Sequence, residues 1–295
     1  AHKTATKKES SFATIHDDKK IKVKKRLYMT ATPRIISETV TNSRGEDVTK
    51  YIADMNNPHI YGDEFHRMSF AQAIKEKILV DYKIVAIGVS NKELEKKIKR
   101  RDYVEGEGFK TLEERANHIA LKKAMTKYKA THAITFHSSI QKAEDFWKRH
   151  KIENKSCEAF HVSGKHSTAD RKSALNDFKN EKKALVTNAR CLTEGVDVPA
   201  IDLVYFCDPK NSKIDIVQAA GRSLRRSPGK KFGLIVVPIY HSDKDNIEEE
   251  IQSGVYKNLV QTIRAMSDQD ERLEEEIRRI IWGDGKRKSA RIQVD

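Results

Sequence analysis

Gln218, Gly221, Arg222 and Arg225 follow one another at a spacing suited to phosphate chemistry. Three residues separate the two arginines, which predicts a shared helical face. Arginine stays charged and presents a planar fork of donors that matches phosphate oxygens. Phosphoryl transfer asks a protein mainly for positioning and charge neutralisation, and an arginine finger contributes roughly 10³–10⁵ in rate. Gly221 leaves room for close backbone approach, and Gln218 can both donate and accept. A lone Arg-x-x-Arg reads as a solvated basic helix. Here a second polar signature precedes it, Thr187-Asn188 and then Glu194-Gly195-Val196-Asp197-Val198-Pro199, with one apolar run from Ile201 to Cys207 between the two.

Short apolar runs alternate with helical stretches around these signatures. The runs 83–89, 132–137, 158–162, 184–187, 202–207 and 233–237 read as strands, bounded by polar or turn residues. Between them, 112–128, 140–150, 168–178 and 213–225 carry helical periodicity. Such alternation implies an α/β fold, a parallel sheet with right-handed crossovers and helices on both faces. Ligands of such sheets sit beyond the carboxyl ends of the strands, where Ser138-Ser139 and Thr187-Asn188 fall. Ser69–Leu79 is a helix candidate. After Pro238 an apolar stripe (Ile247, Ile251, Val255, Leu259, Ile263, Met266, then Leu273, Ile277, Ile280, Ile281) predicts a C-terminal helical extension, and the tail from Lys286 reads as frayed.

Lys and Arg total 57 against 43 Asp and Glu in 295 residues, a net charge of +14 that favours a polyanionic partner such as nucleic acid. No run of 18 apolar residues and no signal peptide is visible, so a cytoplasmic protein with no membrane association is expected. Cys157, Cys191 and Cys207 lack CxxC spacing and read as free thiols. The histidines show no HExxH or paired Cys/His spacing, so no metal site is expected among them.

The two signatures, in this order, resemble motifs V and VI of superfamily 2 helicases and translocases. Thr30-Ala31-Thr32-Pro33 is similar to their motif III, Thr135-Phe136-His137-Ser138-Ser139 to motif IV, and Phe160-His161-Val162-Ser163-Gly164 with Arg171 to the segment after it. The stretch from Tyr61 through Ile74, with Leu79–Lys83, resembles bacterial DEAD/DEAH-box proteins of restriction systems, both single-polypeptide type I-like enzymes and type III subunits. Ala1-His2, some thirty residues before Thr30, resembles the second half of a DEAH box. Gly164-Lys165-His166 lacks the GxxxxGK[ST] spacing of a phosphate loop.

The resemblance implies a RecA-like second lobe over 81–240, the end of a first lobe over 1–36, a linker over 37–80 and a helical extension over 241–295. It implies Arg222 and Arg225 as catalytic arginine fingers, with Gly195, Asp197, Gln218 and Gly221 at the nucleotide. Ser138, Ser139, Thr187, Asn188 and Arg171 would meet nucleic-acid phosphates, and His2, Thr30, Ala31 and Thr32 would couple the lobes. ATP and Mg²⁺ are the implied cofactors, the metal ligands being expected in a first lobe this chain lacks, so the chain alone is expected to be inactive. DNA, duplex in this subgroup, is the implied partner, with nuclease and methyltransferase modules elsewhere. A non-catalytic nucleic-acid-binding module and a lobe of an RNA helicase are the alternatives.

Overall fold

The computed structural model describes residues 4–5, 11–30, 33, 54–90, 92, 94, 112–189, 198–208, 212–241, 256–282 and 289–295. His2, Ala31, Thr32, Cys191, Gly195 and Asp197 lie outside them. The chain divides into two compact units, Ala1–Met68 and Ser69–Asp295. The first contains a 3-10 turn (Ser11–His16) and a short helix α1 (Pro58–Tyr61). His16, Tyr28 and Tyr61 form an aromatic triad, with centroids 4.8 to 5.5 Å apart. His16 Nδ1 lies 2.9 Å from the Tyr28 hydroxyl, and Thr30 is half-buried just beyond it.

The second unit is a seven-stranded sheet in which every pairing is parallel, in the order β3-β4-β2-β5-β6-β1-β7. Its strands are β1 (Asp81–Ser90), β2 (His132–Phe136), β3 (Glu158–Val162), β4 (Ala184–Asn188), β5 (Leu203–Phe206), β6 (Phe232–His241) and β7 (Ile292–Val294). Its helices are α2 (Phe70–Lys75), α3 (Leu112–Lys127), α4 (Ile140–Glu153), α5 (Thr168–Asn180), α6 (Lys213–Ser223), α7 (Lys257–Ser267) and α8 (Glu271–Trp282). Side chains alternate across a strand, and the two cores follow that alternation. Tyr82, Ile84, Ala86, Ile134, Phe136, Val204 and Ile235 join residues of α5, α6, α7 and α8 on one face. Val85, Ile87, Ala133, Leu185, Tyr205 and Val236 join α3 and Phe146 of α4 on the other. The RecA-like expectation of helices on both faces of a parallel sheet is thus met.

Helix starts follow local chemistry. Ser167 accepts from the Asp170 N–H while Asp170 reaches back to the Ser167 N–H, a reciprocal capping box. Ser139 caps α4 and Ser212 caps α6 in the simpler way.

The C-terminal region differs from expectation at its end. Helices α7 and α8 form over the later part of the stripe, while Ile247, Ile251 and Val255 lie outside the described residues, and Ile292–Val294 adds a parallel strand to the free edge of β1 rather than fraying. A strand of three residues is too short to carry a period in the sequence. An ionic clasp holds it. Arg272 grips the buried Asp270 carboxylate through two bonds of 3.0 and 2.7 Å. Asp81 bridges Arg272 and Arg291, and Arg291 also pairs with Glu276.

On the opposite face, His118, His137 and His150 surround Phe146, with the His118 ring stacked 3.8 Å from it. All three are buried. Desolvation holds His118 well below the usual imidazole range and brings His137 and His150 down to about 4. These are folded-state values depressed for a base, so protons bind preferentially to the unfolded chain between the unperturbed value of about 6.5 and about 4. The stability they permit is complete above about pH 6.5 and is lost as pH falls, by up to a few kcal/mol each for His137 and His150 as pH approaches about 4. Urea midpoints should therefore be flat from pH 8 to 7 and fall steeply from pH 6 to 4.5; a flat curve there would contradict the neutral buried histidines.

Candidate functional site

The carboxyl ends of β4, β2 and β5 lie side by side, joined by His137 N–H to Asn188 O at 3.0 Å and Cys207 N–H to Phe136 O at 3.1 Å. Beyond them Asp208, which the sequence reading did not single out, organises the loop after β2. Its carboxylate accepts the Ser138 backbone N–H at 2.8 Å and the Lys142 ammonium at 2.7 Å. Burial raises the Asp208 pKa, but those two donors outweigh it and hold the carboxyl below its ordinary value. Ser138 and Ser139 are exposed at this edge, above the first turn of α4. The available signal was an acidic residue directly after a predicted strand, at the end where such sheets bind ligands.

Thr187 and Asn188 are placed differently from the expectation of phosphate contacts. Both are fully buried. The Thr187 hydroxyl lies 2.9 Å from His161 Nδ1 and 3.5 Å from the Phe160 carbonyl, so it joins β4 to β3 and has no surface to offer. Strand residues inside a parallel sheet are covered on both faces, which is why these two are enclosed. Arg171 folds back on its own helix start, its guanidinium reaching Ser167 O and Thr168 Oγ1 at 3.4 and 3.3 Å.

The Gln218-x-x-Gly221-Arg222 run lies on α6, which buries Ile216, Val217, Ala219, Ala220 and Ser223. Gln218 and Gly221 form the partly open stripe of that helix, and Arg222 is 6% exposed. Arg225 does not share the helical face. The helix ends at Ser223, Leu224 is fully buried, and the chain then pairs with the segment before β1. Val80 N–H donates to Leu224 O at 2.8 Å, Leu79 bridges Arg225, and Arg226 reaches Lys77 O at 2.7 Å. Burial of Leu224 and this pairing override the helical spacing.

A Cβ at Gly221 would meet nothing within 4 Å. Among the described residues no group requires glycine there. Alanine is favoured over glycine inside a helix by about 1 kcal/mol. Gly221→Ala should therefore leave the melting temperature unchanged or raise it slightly. A loss of stability would contradict the open space.

Among the described residues no cluster of three His, Cys, Asp or Glu side chains could hold a metal ion. Cys157 and Cys207 are buried free thiols. Trp147 donates its indole N–H to Ala159 O at 2.8 Å, a packing role between α4 and β3. No described helix is long and apolar enough to cross a membrane.

Comparison with known proteins places this geometry. Residues 116–227 match the model of the helicase conserved C-terminal domain. The solved structure of the ATP-dependent Type ISP restriction-modification enzyme LlaBIII bound to DNA superimposes on 99% of this chain with a TM-score of 0.77 and 26% identity, the match covering 21% of that enzyme. An African swine fever virus protein described as a probable helicase is 22% identical over 218 residues, 72% of this chain and 22% of its own length. A 51.5 kDa protein of a Lactococcus phage is 27% identical over 140 residues, 44% of this chain and 30% of its own. The chain thus spans less than a third of each of these relatives.

Proposed function

We propose that this chain, whose residues 116–227 match the helicase conserved C-terminal domain, is the second RecA-like lobe of an ATP-dependent DNA translocase or helicase in a bacterial restriction or phage-defence enzyme. The observation that carries this reading is the likeness over 99% of the chain, at 26% identity, to a restriction enzyme described as ATP-dependent and bound to DNA.

Two surfaces divide the work. The open stripe of α6, Gln218 and Gly221, faces a nucleotide held by a first lobe, with Arg222 and Arg225 neutralising charge that develops on the transferred phosphoryl group. By the family resemblance, Gly195 and Asp197 would meet the same nucleotide. Mg²⁺, bound by acidic residues of the first lobe, would supply further charge neutralisation. Ser138 and Ser139, exposed in the Asp208-anchored loop, offer hydroxyl donors to DNA phosphates. Such contacts position a strand without reading its sequence. Thr30, with Ala31, Thr32 and His2, relays nucleotide state between the lobes. The nuclease and methyltransferase modules of a restriction enzyme would lie elsewhere in the protein.

The test is ATP turnover by the full-length protein with duplex DNA, single-stranded DNA or RNA. Stimulation by duplex DNA is expected. Stimulation by RNA alone would assign the lobe to an RNA helicase, and salt-sensitive DNA binding without any turnover would reduce it to a binding module.

A further inference from the structure

Ser227-Pro228-Gly229-Lys230 follows the second signature directly. Lys230 N–H donates to Ser227 O at 3.1 Å and Gly229 has φ +76°, a turn that needs glycine at its third position. The turn delivers the Lys230 side chain into the space between the two signature segments. Its ammonium donates to Arg225 O at 2.7 Å, to Ile201 O at 2.5 Å and to Pro199 O at 3.3 Å. Three donors meet three main-chain carbonyls, the full capacity of a lysine. Two of these carbonyls belong to the exit of the Gly-Val-Asp-Val-Pro loop and one to the segment that carries Arg225. A surface lysine keeps its head group in water, whereas this one is drawn inward, and burial brings its pKa down to about 8, with Asp202 opposing and Arg225 adding to the shift.

We infer that Lys230 is a positioning residue whose ammonium staples the loop at 198–201 to the chain after Arg222, fixing the distance between the two segments that face the nucleotide. The staple is a property of this chain alone; its effect on turnover rests on the function proposed above. Val198, Ile201 and Leu224 share the core beneath these exits, and the ammonium adds a hydrogen-bonded tie between their main chains.

Lys230→Met keeps the stem and removes the charge. In the full-length protein, hydrogen exchange read by mass spectrometry should quicken about tenfold in peptides covering 198–201 and 222–226, equivalent to loss of a hydrogen bond or two. Peptides of β2 and β4 should not change. ATP kcat should fall about fivefold or more while KM for ATP stays within about twofold, the pattern of a group that acts on the transition state rather than on binding. Wild-type kcat should also decline as pH rises through about 8, a limb that Lys230→Met lacks. If Lys230→Met does not fold, Lys230→Gln, which keeps a donor but neither the charge nor the reach to three carbonyls, takes its place: exchange in 222–226 must quicken in it. Unchanged exchange overturns the staple, and quickened exchange with unaltered kcat overturns its positioning role. A wild-type protein that never turns over ATP overturns the proposed function instead, and exchange alone then decides the staple.

Discussion

Arg222→Ala in the full-length protein is expected to lower DNA-stimulated ATP turnover by about 10³-fold or more, the scale of a lost arginine finger, while DNA affinity changes little. The side chain sits in the last turn of α6, 6% exposed, beside the open stripe of Gln218 and Gly221. Because it is buried, truncation alone also leaves a void, so Arg222→Lys is the necessary companion. Lysine retains the charge and most of the stem but not the planar fork. If Arg222 acts through bidentate phosphate contact, the lysine variant folds normally and still loses most of the rate. Full activity in both variants, measured by phosphate release under saturating DNA, would remove the arginine-finger assignment.

Gly233→Ala is expected to be the most damaging small substitution in the fold. A Cβ at this position of β6 would stand 2.3 Å from the Ser223 carbonyl oxygen, 2.7 Å from the carbonyl carbon and 2.8 Å from the Ser223 hydroxyl. Two of these contacts are backbone, so no rotamer change relieves them, and the end of α6 must move. Overpacking of this kind costs about 1–3 kcal/mol. The displaced element is the turn of helix that carries Arg222, so turnover should fall together with the denaturant midpoint. Ser223→Ala, which removes only the hydroxyl, should not rescue the substitution. An unaltered midpoint for Gly233→Ala would show that β6 and α6 are not in close contact. The contrast with Gly221, where a Cβ meets open space, separates a glycine required by the fold from one available to a ligand.

Much of this was legible in the sequence, for identifiable reasons. Runs such as Leu234-Ile235-Val236-Val237 are apolar on both faces because the strands are buried on both faces, so the strand was recognised, although β6 continues to His241, past the predicted end at 237. Helical periodicity over 168–178 announced α5, which runs from Thr168 to Asn180. What escaped depends on contacts between segments distant in the chain. Arg225 has perfect helical spacing from Arg222, yet Leu224 is drawn into the core and pairs with Val80. Thr187 has the hydroxyl expected of a phosphate contact, but its strand is interior and His161 engages it. Asp208 and Lys230 carry no motif; their roles come from which carbonyls, N–H groups and ammonium the fold brings within reach.

The most direct measurement compares three preparations at equal concentration: this chain, a first RecA-like lobe bearing the GxxxxGK[ST] loop of the same protein, and the two joined. ATP hydrolysis is followed with and without duplex DNA. Neither lobe alone should turn over ATP, and the joined pair should do so at a rate that DNA raises. A joined pair no faster than the sum of its parts, or hydrolysis by this chain alone, would contradict the assignment of this lobe as half of a DNA-driven ATPase.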